Sequence, residues 1–251
     1  MTGVFTIFIL GSGWGVKHVL SVTKTYPGNL DLILSGVAGI LGMGIAVFLG
    51  VIASLNISLG QEFKQHNSFK WWVVNRLTFL VAANNLAGFM VFFLQDKFPE
   101  YRGLEVAGPA ARIIMFVGIF ILLFALPSGW LSDKFGKKIL CAIAGILVGI
   151  GSAIVILAPE ITGLTFVGAS VAGAGLGLFY SANWALGTEL VPADRAGQFL
   201  GLSNLAGAGA GAIGAYIGGP IGDAQSYILL MGIYGSMAIL STFALLGIKE
   251  G

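Results

Sequence analysis

Long apolar runs, separated by short polar stretches, occupy most of the chain. Eight of them approach the roughly 20 residues that a helix needs to cross a bilayer: 4–22, 32–55, 73–94, 110–131, 139–158, 162–183, 199–219 and 227–248. They predict an all-α integral membrane protein, a polytopic bundle of seven or eight transmembrane helices. Seven runs are clear. The first carries Lys17 and His18 and is rich in Gly. It either spans, with those two side chains snorkelling from its far end, or lies along the interface.

Composition supports a membrane environment. Hydrophobic types make up 57% and charged types 10%, against roughly 25% charged in soluble domains. That is too little charge to cover a water-facing surface. The net charge of +2 implies no nucleic-acid partner. Cys141 is the single cysteine and lies in an apolar run, so no disulfide framework is possible. Two His and one Cys offer no metal-ligand cluster, and no cofactor is expected.

The basic residues set an orientation. With eight spans and Met1 inside, the inner side receives Lys64, Lys70, Lys134, Lys137, Lys138, Arg195 and Lys249, and the outer side Lys24, Lys97 and Arg102. This is the positive-inside bias. It predicts a multi-pass protein of the plasma (inner) membrane with a cytoplasmic C-terminus. Trp71 and Trp72, beside Lys70, suit an interfacial anchor. The longest inner connection, 57–72, reads as a linker between 1–56, the end of an N-terminal bundle, and 73–251, a six-span bundle. No basic n-region or small-residue cleavage site marks a signal peptide. The opening "MTGVFTIF" enters hydrocarbon at once, as a fragment would.

Between two of the runs stands "GWLSDKFGKK", residues 129–138. The positive-inside rule accounts for its lysines but not for Gly129, Asp133 and Gly136. Gly129, at a span end, would let another helix backbone approach. Gly136 would permit a turn with positive φ. The Asp133 carboxylate could meet the N-terminus of a neighbouring helix. The phrase resembles the signature loop of the major facilitator superfamily, G-x-L-[AS]-D-x-x-G-[RK]-[RK], at every defining position. In that family the loop joins the second and third helices of each six-helix half. Here two spans separate it from the linker and four follow, as in the C-terminal half. No second copy is present, so the resemblance implies a chain whose N-terminal half is mostly missing.

A second patch, 183–214, contains Glu189, Pro192, Arg195 and Gly197. It is similar to the inner loop of sugar-carrying relatives, of the sucrose-transporter-like and glycoside–cation symporter branches. The resemblance implies secondary active transport of a small solute by alternating access, with a sugar as substrate and a coupling cation as candidates. Asp133, Lys137, Lys138, Glu189 and Arg195 would form an inner-face gating network, Asp133 contacting the start of the 199–219 helix. The bland reading of these residues is solvated loop charge.

Embedded polar groups give the remaining candidates. Asn84 and Asn85 fall at the midpoint of the 73–94 run, where an unsatisfied amide is costly. One can face a central cavity while the other bonds a neighbouring helix. Tyr180, Asn183 and Trp184 either line the inner mouth or anchor the interface. Small residues at Gly207/Gly211 and Gly214/Gly218, and the stripe Ser170, Gly173, Gly177, Tyr180, Trp184, suit close helix packing. No run holds an acidic residue near its midpoint, so no proton-coupling carboxylate is visible. No enzyme chemistry is implied. The alternatives are a non-transporting membrane protein, or a fragment that is inactive without self-association or a partner supplying the missing helices.

Overall fold

The computed structural model describes residues 2–26, 29–60, 65–101 and 103–249; Lys64 and Arg102 lie outside them. Among the described residues ten α-helices follow one another: α1 (Thr2–Thr23), α2 (Leu30–Leu59), α3 (Asn67–Gly88), α4 (Met90–Lys97), α5 (Ala107–Phe135), α6 (Lys137–Leu157), α7 (Gly163–Glu189), α8 (Ala196–Ala208), α9 (Ala210–Ala224) and α10 (Tyr227–Ala244). Among the described residues there is no strand.

Among the described residues six helices, α1, α2, α5, α6, α7 and α10, are each long and apolar enough to cross a bilayer, and α3 with α4, bent by 57° at their junction, passes the same test only as a pair. The bend falls at Phe89, one residue after Gly88, where the helical hydrogen-bond ladder is interrupted. The expected span 199–219 is broken at Gly209 into α8 and α9, of 13 and 15 residues. At 1.5 Å per residue each reaches only about 20–23 Å, short of the roughly 30 Å hydrocarbon core.

Glycines set the seams. On α7, a methyl built on Gly173 would lie 2.5 Å from the Val117 carbonyl oxygen of α5, and one on Gly175 would lie 2.7 Å from the Ala144 oxygen of α6. A methyl on Gly177 would overlap the Ile121 oxygen of α5. The predicted 173/177 stripe is therefore a contact face towards α5. Of the other predicted pairs, Gly214 and Gly218 sit against Asn85 and Tyr234, but Gly211 has open space around it. The pairing of Gly207 with Gly211 is not a seam.

The 4–22 run is the continuous helix α1, of 22 residues, or about 33 Å. Phe5 packs at Gly50 and Val16 at Gly42, so α1 runs antiparallel along α2. This hairpin rests on α9, and α2 also meets α3 and α10. Around α7 the bundle is closed by α5 and α6, while α10 lies against α3 and α6. The side of α5 away from α7 shows Leu122, Leu126 and Trp130, exposed by 70%, 86% and 64%. Such a surface suits acyl chains rather than water.

A guanidinium held between α3 and α7

Where α3 meets α7, polar groups interlock inside apolar helices. Asn75 and Asn183 are both fully buried. The Asn183 Nδ2 amide donates to Asn75 Oδ1 at 2.9 Å, and Asn75 Nδ2 donates to the Ser241 carbonyl of α10 at 2.9 Å. Trp72 Nε1 donates to the Asn183 backbone carbonyl at 2.8 Å. With both amides tied, Asn183 Oδ1 is left aimed at Arg76, whose Nη1 donates to it at 3.2 Å. The guanidinium lies over the Trp184 ring at 4.7 Å and near that of Trp72 at 5.8 Å, in cation–π range. Tyr180, one helical turn before Trp184, is 39% exposed and marks the open side of the cluster.

Of the candidates, Tyr180, Asn183 and Trp184 are thus brought together. Arg76 and Asn75 were not among them. The signal for Arg76 was present: an arginine four residues into the 73–94 run is a charge inside a span. Asn75 had no comparable signal, because its role depends on a partner 108 residues away.

Asn84 and Asn85 lie about 12–14 Å further along α3. Asn85 is buried and donates to the Val81 carbonyl at 2.8 Å and the Ala210 carbonyl of α9 at 3.3 Å. Gly214 gives its side chain room. Asn84 is exposed.

At the Gly136 end, the α5–α6 connection is tighter than the expected 132–138 loop. Helix α5 continues through Phe135 and α6 starts at Lys137. Gly136 alone makes the turn, with φ +91° and ψ +137°, the positive φ that the sequence predicts. Lys137 Nζ pairs with Glu189 at 2.5 Å. Lys138 donates to the Ile248 carbonyl at 2.9 Å. Arg195 turns to Gln198, at 3.1 and 2.8 Å, and stacks on Phe199 at 5.6 Å.

Two expectations fail here. Gly129 is exposed, and among the described residues a methyl built on it would meet nothing within 4 Å, so no helix backbone there packs against it. Asp133 is also exposed, and α8 packs on α3, α7 and α9; the carboxylate is not docked on the helix that follows residue 195. The reason is register. The α7-facing side of α5 carries Val117, Ile121, Ala125 and Ser128, and Ser128 donates to the Leu178 carbonyl at 3.1 Å. Ser132 continues that stripe and is buried. Asp133 is turned about 100° from it.

A family model, Major Facilitator Superfamily, matches residues 77–250. The chain belongs to the major facilitator superfamily. The matched stretch of this facilitator begins at Leu77, so it takes in the second half of α3 and everything to α10, including the Gly129–Lys138 phrase, Glu189 and Arg195; Asn75 and Arg76 lie just before it. Neither a curated protein nor a solved structure matches the chain. Membership makes this facilitator an integral, multi-pass membrane transporter. Its bundle also encloses an apolar cavity lined by Leu86, Met90, Ile113, Val148 and Met231. That cavity offers little hydrogen bonding, so the polar α3–α7 cluster is the better candidate for solute contact.

Proposed function

We propose that this facilitator is a secondary active transporter that moves a small polar solute by alternating access, rocking helix bundles about a site within the membrane. The observation that carries the reading is the α3–α7 cluster. A membrane-embedded, hydrogen-bonded amide pair holds a cation beside an open face, and such groups mark substrate pathways. Tyr180 and Trp184 supply the wall and Asn84 a further amide along the path. Likeness of the 183–214 stretch to sugar-carrying relatives favours a sugar-sized solute moved with a cation.

The Lys137–Glu189 pair joins the start of α6 to the end of α7 and is part-exposed. In our reading it is a remakeable inner-face contact, Lys138 and Arg195 serving as alternative cations and the one-residue turn at Gly136 as the hinge. The C-terminus lies in the cytoplasm. Helices α3–α10 form one bundle with α1 and α2 laid against it; the opposing bundle comes from further helices or from a second copy.

Counterflow and uptake in proteoliposomes test the reading. Exchange of a labelled solute that requires unlabelled solute inside is expected. A chain that shows no exchange alone, with added copies, or extended by further helices is not a carrier. The charge-reversed Lys137→Glu variant should slow exchange, and Lys137→Glu with Glu189→Lys should restore it.

A further inference from the structure

Arg76 has an unused edge. Its Nη1 is spent on Asn183 Oδ1, and Nε is buried with no hydrogen-bond partner. No carboxylate pairs with it among the described residues; it faces the neutral rings of Trp72 and Trp184 and the Tyr180 hydroxyl. Nε–H and the outer Nη2–H point the same way. They are the two parallel donors that seat a carboxylate side-on. A buried donor without a partner is expensive and rare in folded proteins, and a cation inside a span without a counter-ion more so.

Nor is Arg76 simply an interface anchor. Lys70 and Trp71, nearer the helix end, already supply one, with the ammonium over the ring at 5.3 Å. The Asn75–Asn183 pair, anchored to α10, instead fixes the guanidinium between two helices.

Building on the transport reading, we infer that the α3–α7 cluster is a binding site for a small solute bearing a carboxylate. One oxygen meets Nη2, and a side-chain shift that uncovers Nε admits the second. Trp184 and Trp72 cover the guanidinium faces, Asn183 fixes its plane, and Tyr180 borders the entrance. Arg76 is the ligand-contacting residue; Asn75 and Asn183 are positioning residues.

The test uses the full chain in nanodiscs of phosphatidylcholine, titrated at constant ionic strength with sodium D-glucuronate, acetate or phosphate, and with D-glucose. Tryptophan emission reports the site through Trp72 and Trp184. A saturable change with glucuronate and none with glucose is expected. Arg76→Gln should weaken apparent affinity at least about thirtyfold, and Arg76→Lys, which keeps the charge without the fork, by less. Trp184→Phe should shrink the signal, because that ring lies against the guanidinium. Helical circular dichroism matched to the parent excludes misfolding, and Arg76→Lys serves where Arg76→Gln does not assemble.

Equal responses to glucose and glucuronate overturn the inference. So does an unchanged midpoint in Arg76→Gln, or silence towards all three oxyanions. So too does an effect seen only with phosphatidylglycerol in the disc and not displaced by glucuronate, because the occupant is then a lipid headgroup. Glucuronate binding through Arg76 without counterflow sinks the transport reading and leaves the site standing. Counterflow of a neutral solute that Arg76→Gln does not alter does the reverse.

Discussion

Gly136 holds a backbone conformation that a β-carbon makes costly. At φ +91° and ψ +137° it lies close to a region that is almost exclusively glycine's, where another residue costs about 1–3 kcal/mol. Gly136→Ala should therefore lower the thermal unfolding midpoint in lipid discs, although a methyl there meets only Ile139 at 4.0 Å. The interlocked amides make a different case. Removing one leaves its buried partner unsatisfied, whereas removing both restores balance. Asn75→Leu and Asn183→Leu should each destabilise by about 1–2 kcal/mol, and the double variant by less than their sum. A double-mutant cycle on unfolding in detergent would measure that coupling, and strict additivity would contradict the network.

At the scale of helices, stability depends on how close two backbones come. Gly177 leaves α7 no slack against the Ile121 carbonyl, and a backbone oxygen cannot retreat by changing rotamer. Gly177→Val should cost more than about 2 kcal/mol or abolish assembly. Gly211→Ala, which meets nothing within 4 Å, should be neutral or stabilising by up to about 1 kcal/mol through helix propensity. Size-exclusion profiles and thermal midpoints of the pair would separate the two. The end of α4 works as a double cap. Asp96 accepts from the Tyr227 backbone N–H and the Ser226 hydroxyl, both at 2.8 Å, at the start of α10. Lys97 donates to the Val155, Ile156 and Ala158 carbonyls at the end of α6. Each charge complements the helix dipole it faces. Lys97→Met should cost roughly 0.5–2 kcal/mol, read as a lower thermal midpoint. Asp96 and Lys97 were visible in the sequence only as charges at a span end; the helix termini they serve belong to distant segments.

For the whole molecule, orientation is the outstanding quantity, and it can be read chemically. In a Cys141→Ala background, a cysteine replacing Asp194 should be labelled by an impermeant maleimide only after the membrane is opened. One replacing Glu100 should be labelled in intact cells. The opposite pattern would reverse the sidedness inferred from the basic residues. Rocking between states also needs contacts that break cheaply. The part-exposed Lys137–Glu189 pair, at below about 1 kcal/mol, suits that better than the buried Asn75–Asn183 pair.

Much of this architecture is local in origin. The run 139–158 becomes α6 and 110–131 becomes α5 because hydropathy and a length of about 20 residues suffice to specify a membrane helix. Gly136 was legible because a turn with positive φ depends on its own residue. Tertiary structure decided which faces meet. It put Asn75 against Asn183, left the Nε edge of Arg76 unpaired, and turned Asp133 away from α8. Hydropathy and helical period reach only a few residues along the chain. Each of these outcomes depends on the rotation and register of helices many residues apart.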